Sequence, residues 1–251
     1  MAMPPAASGA FKNAILSRLA SDTLEALGPK PIELDLRQVL YEPHEPIEYV
    51  YFPENAVVSV ISVMQNGSSI EVGTFGREGM AGSFLLLNAQ SVPFRYFIQI
   101  AGTGYRVSAP RFQRALAANQ ELHDAALRYE LDFRMQTMQG MACNGLHSIE
   151  QRCCRWLLMT RDRVDTDDFR LTHEFLALML GVRRSSVSEV IAPLQEMNLI
   201  SSKRGTISII NRAALEARVC ECYWIMAQRE RPTSLDDGAS DGPGRGATPL
   251  A

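Results

Sequence analysis

The side chains whose types and spacing suit a specific chemistry are concentrated between residues 171 and 212, LTHEFLALMLGVRRSSVSEVIAPLQEMNLISSKRGTISIINR. Thr172 is placed to cap a helix whose first turn carries Glu174, and Leu171, Phe175, Leu176, Met179 and Leu180 give that helix an apolar side. Gly181 can adopt the left-handed conformation that ends it, with Val182 plugging the corner. The following helix carries Val187, Val190, Ile191 and Leu194 at i, i+3, i+4 and i+7, so one face is buried, while Arg184, Ser185, Ser188 and Glu189 line the opposite face. Pro193 is out of keeping with a helix interior, because it lacks an N–H and crowds the carbonyl of Glu189.

A helix with one buried and one polar face fits the major groove of double-stranded DNA. Arg184 can bond guanine O6 and N7, Glu189 can accept from a cytosine amino group, and Ser185 and Ser188 can reach base or phosphate. Leu199 and Ile200 then open a strand, Lys203-Arg204-Gly205 makes a turn, and Thr206 to Ile210 returns as a second strand. Lys203 and Arg204 at this tip, Arg183 before the second helix and Thr172 before the first are the candidate phosphate contacts. Taken singly, each basic residue reads as an ordinary solvated position. Their order, helix, glycine turn, polar-faced helix and basic wing, is what points to DNA.

The rest of the chain must position this unit. Of 251 residues, 46% are hydrophobic, enough for a full core, and 25 basic against 28 acidic residues leave any DNA contact to local charge. Five cysteines, all in the second half, lack the spacing of a secreted disulfide framework and point to a reduced, cytoplasmic setting. Neither a signal peptide nor a membrane-spanning stretch is apparent. Phe11, Ile15, Leu16, Leu19, Leu24 and Leu27 predict a short amphipathic helix ending at Gly28-Pro29. From Ile32 to Val107, short alternating runs broken by prolines, with a hairpin signal at Asn66-Gly67, predict an antiparallel barrel or roll. Residues 111–143 predict one long helix. One of its apolar lines runs through Leu122, Ala126, Tyr129, Phe133, Gln136, Gly140 and Cys143, and the other through Leu127, Leu131, Met135, Met138 and Ala142. Either one line faces the roll and the other a second chain, or both are buried in one subunit. Asn144-Gly145 suggests a hinge, and a further helix spans about His147 to Arg163.

FLALMLGVRRSSVSEVIAPLQEMNLIS resembles the DNA-binding signature of the Crp/Fnr family of bacterial regulators, and EVGTFGREGMAGSFLLL is similar to the phosphate-binding turn of the family's sensor. The resemblance runs from about Leu34 to Arg212. It implies an α+β fold with an N-terminal antiparallel β-roll like a cyclic-nucleotide-binding domain, a long dimerisation helix and a C-terminal winged helix-turn-helix. The expected divisions are an arm at 1–30, the roll at 31–110, the dimerisation helix and hinge at 111–145, the winged helix-turn-helix at 146–225 and a disordered tail at 226–251. It also implies a homodimer on palindromic double-stranded DNA, with RNA polymerase as a partner where the chain activates.

The candidate effector residues are Glu78, Arg95 and Thr137. The sequence departs from the family's cyclic-nucleotide binders, since Glu78 follows Arg77 instead of glycine and Arg95 is displaced and followed by Tyr96. A shift of one residue along a strand turns a side chain to the other face, so the effector is expected to be another small molecule, or none. No cofactor is identified. An N-terminal iron–sulfur centre is set aside, because residues 1–142 contain no cysteine. No metal site is expected: Cys143, His147 and Cys154 lie near a break, and Cys220 and Cys222 on one helix would point apart. Catalysis is disfavoured, because His44 is the only histidine in the roll and no nucleophile elbow, phosphate loop or zinc-protease helix occurs. The competing reading is a ligand- or protein-binding sensor of the same fold with little DNA contact.

Overall fold

The computed structural model describes residues 11–229. Their helices and strands in chain order are α1 (Ser21–Leu27), β1 (Lys30–Leu34), β2 (Val39–Tyr41), β3 (Tyr49–Pro53), β4 (Val57–Val63), β5 (Ser69–Phe75), β6 (Arg95–Ile100) and β7 (Gly102–Ser108). There follow α2 (Ala109–Ala118), α3 (Gln120–Leu146), α4 (Ile149–Arg163), β8 (Asp168–Arg170), α5 (His173–Leu180), α6 (Arg184–Glu196), β9 (Ile200–Lys203), β10 (Thr206–Ile209), α7 (Arg212–Glu216) and α8 (Glu221–Arg229). Most of the segment expected to be a disordered tail, from residue 230 onward, lies outside the described residues.

The arm buries all six of its predicted apolar residues, but as a 3₁₀ turn at Leu16–Arg18 followed by α1, with extended Ala20 between them. Asn13 causes the early break. Its Oδ1 accepts from the N–H groups of Ile15 and Leu16, while its Nδ2 donates to the carbonyls of Pro53 and Gly79 in the roll.

The roll consists of two antiparallel sheets, ordered β1-β7-β3 and β2-β6-β4-β5. Phe52, Phe75, Ile98 and Leu34 fill the core between them, and Phe112 and Leu122 extend it onto α2 and α3. The Asn66-Gly67 hairpin joins β4 to β5, with Gly67 at φ +80° and Asn66 Oδ1 accepting from the N–H of Ser68.

The predicted long helix is in fact two. Asn119 leaves helical geometry and its side chain caps α3 by accepting from the N–H of Leu122, so α2 ends against the roll and α3 sets off in a new direction along β5. Leu122, Ala126, Tyr129, Gln136 and Cys143 on α3 are buried, and Phe133 packs so tightly on β5 that a Cβ at Gly73 would lie 2.6 Å from its ring. The second apolar line is not covered: Leu127, Leu131, Met138 and Ala142 are exposed. The expected hinge at Asn144-Gly145 is also corrected. α3 passes through both residues, and the chain turns at His147-Ser148, where Ser148 and Gln151 form a reciprocal capping box that starts α4.

A second core lies among α4, α5, α6 and a three-stranded sheet ordered β8-β10-β9. Three residues of the roll, Val57, Ile61 and Phe97, belong to this core, and Phe97 meets Phe175 edge-on with ring centroids 5.9 Å apart. Roll and helix-turn-helix are therefore in direct apolar contact. Gly181 ends α5 at φ +63°, with its Cα hydrogens turned toward Ile70 of β5. Gly181→Ala is expected to lower stability by about 1–2 kcal/mol from the left-handed backbone, read as a lower denaturant midpoint.

Candidate nucleic-acid interface

Thr172 caps α5 by accepting from the N–H of Phe175 at 3.2 Å, so its hydroxyl is committed to the helix start. α6 begins with no side chain among the described residues capping it, leaving the N–H groups of its first turn facing solvent. Val187, Ile191 and Leu194 are buried, while Arg183, Arg184, Ser185 and Glu189 are exposed and Ser188 is half-buried. Pro193 is accommodated: it is exposed, and the helix continues to Glu196. Arg184 rests on Glu174 of the preceding helix, Nε to Oε1 2.5 Å, a pair of two exposed side chains that exchanges partners at little cost.

The wing tip is a two-residue turn, Arg204 at φ +50° and Gly205 at φ +74°, between the paired Lys203 and Thr206. Lys203 and Arg204 are exposed. Two elements of this unit have no strong sequence signal. β8 is three residues long, too short to show alternation, and pairs with β10 as a third strand. His173 stands between the helices and the wing, with Nδ1 3.1 Å from Ser188 Oγ and Nε2 3.3 Å from Ser202 Oγ.

The three candidate effector residues are not brought together. Glu78 accepts from Arg163, Nε to Oε1 2.6 Å, and Arg95 pairs with Glu42 at 2.8 Å. Both charges are matched by partners within the fold. Thr137 Oγ1 bonds the carbonyl of Phe133 and lines a cavity of about 180 Å³ between β5, α3, α4 and α5. Glu71, Arg155, Trp156 and Met179 share this lining, and Arg155 Nε is buried with no hydrogen-bond acceptor among the described residues.

Residues 151–218 match the Crp-like helix-turn-helix domain. The global nitrogen regulator of Synechocystis sp. is 25% identical over 223 residues, covering 80% of this chain and 92% of its own length. The global nitrogen regulator of Synechococcus elongatus is 24% identical over 205 residues, 75% and 91% of the two chains. Among solved structures, FixK2 from Bradyrhizobium japonicum superposes with a TM-score of 0.65 at 16% identity, covering 76% of this chain and 98% of that one. This chain carries a Crp-like helix-turn-helix domain on a Crp/Fnr-type fold. That domain is the helix-turn-helix just described, and no helix among the described residues is long and apolar enough to cross a membrane.

Where the roll meets that domain, Glu71 of β5 accepts from Trp156 Nε1 at 3.0 Å and from Ser59 Oγ at 2.6 Å. Desolvation in this seam raises its pKa from 4.5 to about 7, against the opposing pull of the two hydrogen bonds and of Arg155 and Arg163. The cysteines also depart from expectation. Cys153 and Cys154 are buried in α4, but Cys143, His147, Cys220 and Cys222 converge, with donor atoms all within 4.8 Å of one another. α3 is unbroken between Cys143 and His147, and Cys220 precedes α8, so neither pair is splayed as a helix would splay it.

Because the native state holds the Glu71 proton more tightly than the unfolded chain, its contribution is full below pH 4.5 and is lost as the pH rises to about 7. Glu71→Gln should remove that loss. In denaturant titrations the variant is expected to gain stability relative to the parent as the pH rises through this window; a pH-independent difference would rule out the assignment.

Proposed function

We propose that the chain is a Crp/Fnr-type transcription regulator that binds a palindromic double-stranded DNA site as a homodimer, with α6 of each subunit in a major groove and the wing on the phosphate backbone. The observation that carries this reading is the exposed polar face and uncapped start of α6, flanked by Arg183 and by Lys203 and Arg204 at the wing tip. Arg184, Ser185, Ser188 and Glu189 read bases. Arg183, Lys203 and Arg204 hold phosphates, and Thr172 serves them by fixing the start of α5. The exposed line Leu127, Leu131, Met138 and Ala142 supplies the surface for the second subunit, so α3 is the dimerisation helix.

In this division of labour residues 31–110 sense, α3 pairs the subunits and residues 146–225 bind DNA. The cavity holding Thr137, Glu71 and Arg155 touches all three parts and is the effector site this arrangement favours. An unsatisfied guanidinium N–H inside it suits a small molecule carrying an acceptor or anionic group.

Binding-site selection with the purified chain, followed by titration at several salt concentrations, tests the DNA reading. Arg184→Ala is expected to cost about 1–3 kcal/mol and to relax preference at one base pair per half-site. Lys203→Ala or Arg204→Ala should weaken specific and random DNA alike and flatten the salt slope by about 1 for each cation removed. An unchanged site profile for Arg184→Ala would displace α6 as the recognition helix. Leu131→Asp should convert dimers to monomers in sedimentation analysis while leaving the fold's circular dichroism intact.

A further inference from the structure

We propose that Cys143, His147, Cys220 and Cys222 form a four-coordinate zinc site that fastens the start of α8 to the end of α3. The ligand atoms all lie within 4.8 Å of one another. Cys143 Sγ is 3.6 Å from Cys220 Sγ, and Cys222 Sγ is 3.5 Å from His147 Nδ1. A tetrahedral zinc ion, about 2.3 Å from sulfur and about 2.0–2.1 Å from nitrogen, places its ligands about 3.8 Å apart for two sulfurs and about 3.6 Å for sulfur and nitrogen. The two observed separations match those edges.

Local structure explains why four residues from distant parts of the chain reach one point. Cys143 and His147 are one turn apart at the end of α3, so they share a face. Cys220 lies just before α8 and Cys222 in its first turn, so the change of backbone direction brings both sulfurs inward. The three cysteines are buried as a cluster of their own, and His147 closes it on the more open side.

The surroundings have the polar support that bound metals use. His147 Nε2 lies 3.2 Å from Glu221 Oε2, which orients the ring and leaves Nδ1 for the ion. Gln139 Nε2 donates to Cys222 Sγ at 3.1 Å, a contact that stabilises a thiolate. Buried cysteines that merely pack need neither partner. Three sulfurs and an imidazole select zinc over magnesium or calcium, and four protein ligands leave no position for substrate, which marks a structural site. A cage this small encloses one ion and excludes the several irons and sulfides of a cluster.

The full chain, reduced and stripped of metal without oxygen, is titrated with Co²⁺ and read by absorption, and zinc is measured in the chain as isolated. One metal per chain and the intense visible bands of tetrahedral cobalt, with sulfur-to-cobalt charge transfer in the near ultraviolet, are expected. Cys222→Ser should abolish them and Cys153→Ala should leave them unchanged. Glu221→Gln should keep the spectrum but weaken affinity about ten- to a hundredfold, which decides the matter even where Cys222→Ser fails to fold. Absent or octahedral cobalt bands, loss of the bands in Cys153→Ala, or a Cys143–Cys220 disulfide in the zinc-replete chain would overturn the site.

Discussion

The guanidinium of Arg163, at the end of α4, is buried, and a buried charge is tolerated only when fully paired. Its Nε meets Glu78 of the roll, one terminal nitrogen donates to Gln136 Oε1 on α3, and the other bonds the carbonyl of Met159 on its own helix. Gln136 in turn donates to the carbonyl of Thr74 on β5, and Arg77 clasps the carbonyl of Arg163. These partners come from three parts of the chain, and displacing any one would strand a charge away from water. The relative placement of roll, long helix and DNA-binding domain is thus specified by a requirement for charge satisfaction as well as by apolar packing.

Around that fixed point the contacts are of a softer kind. Ser59, Glu71 and Trp156 form a short polar chain across the seam, next to a cavity that borders both the roll and the helix-turn-helix. Phe97 against Phe175 and Ile70 near Gly181 complete the contact. A molecule entering the cavity would therefore meet residues of the roll and residues that end α5, with no relay between them.

The parts of this architecture readable in the sequence were those governed by local rules. The stripe Val187, Val190, Ile191 and Leu194, the Gly181 turn and the Lys203 to Gly205 tip all depend on neighbours within a few residues, and the roll announced itself through its prolines and Asn66-Gly67. Asn119 shows the limit: with no Gly or Pro near it the stretch reads as continuous helix, yet a single side chain capping Leu122 breaks it. The partners of Glu78 and Arg95, Arg163 and Glu42, stand 85 and 53 residues away, beyond the reach of a local pattern. The meeting of Cys143 and His147 with Cys220 and Cys222 was hidden for the same reason, since it depends on where the chain returns after the wing.

That return also changes what kind of joint the DNA-binding domain has. A domain hung from a single helix end swivels in any direction about its tether. Here the chain leaves α3 at His147 and comes back to it at α8, where Gln139 reaches Cys222. Were the roll's hold on α4 and α5 released, these two attachments to one rod would remove tilt and leave rotation about the line that joins them. In the proposed dimer the two α6 helices would then move as leaves on pins, changing the angle between them far more readily than the distance between their roots.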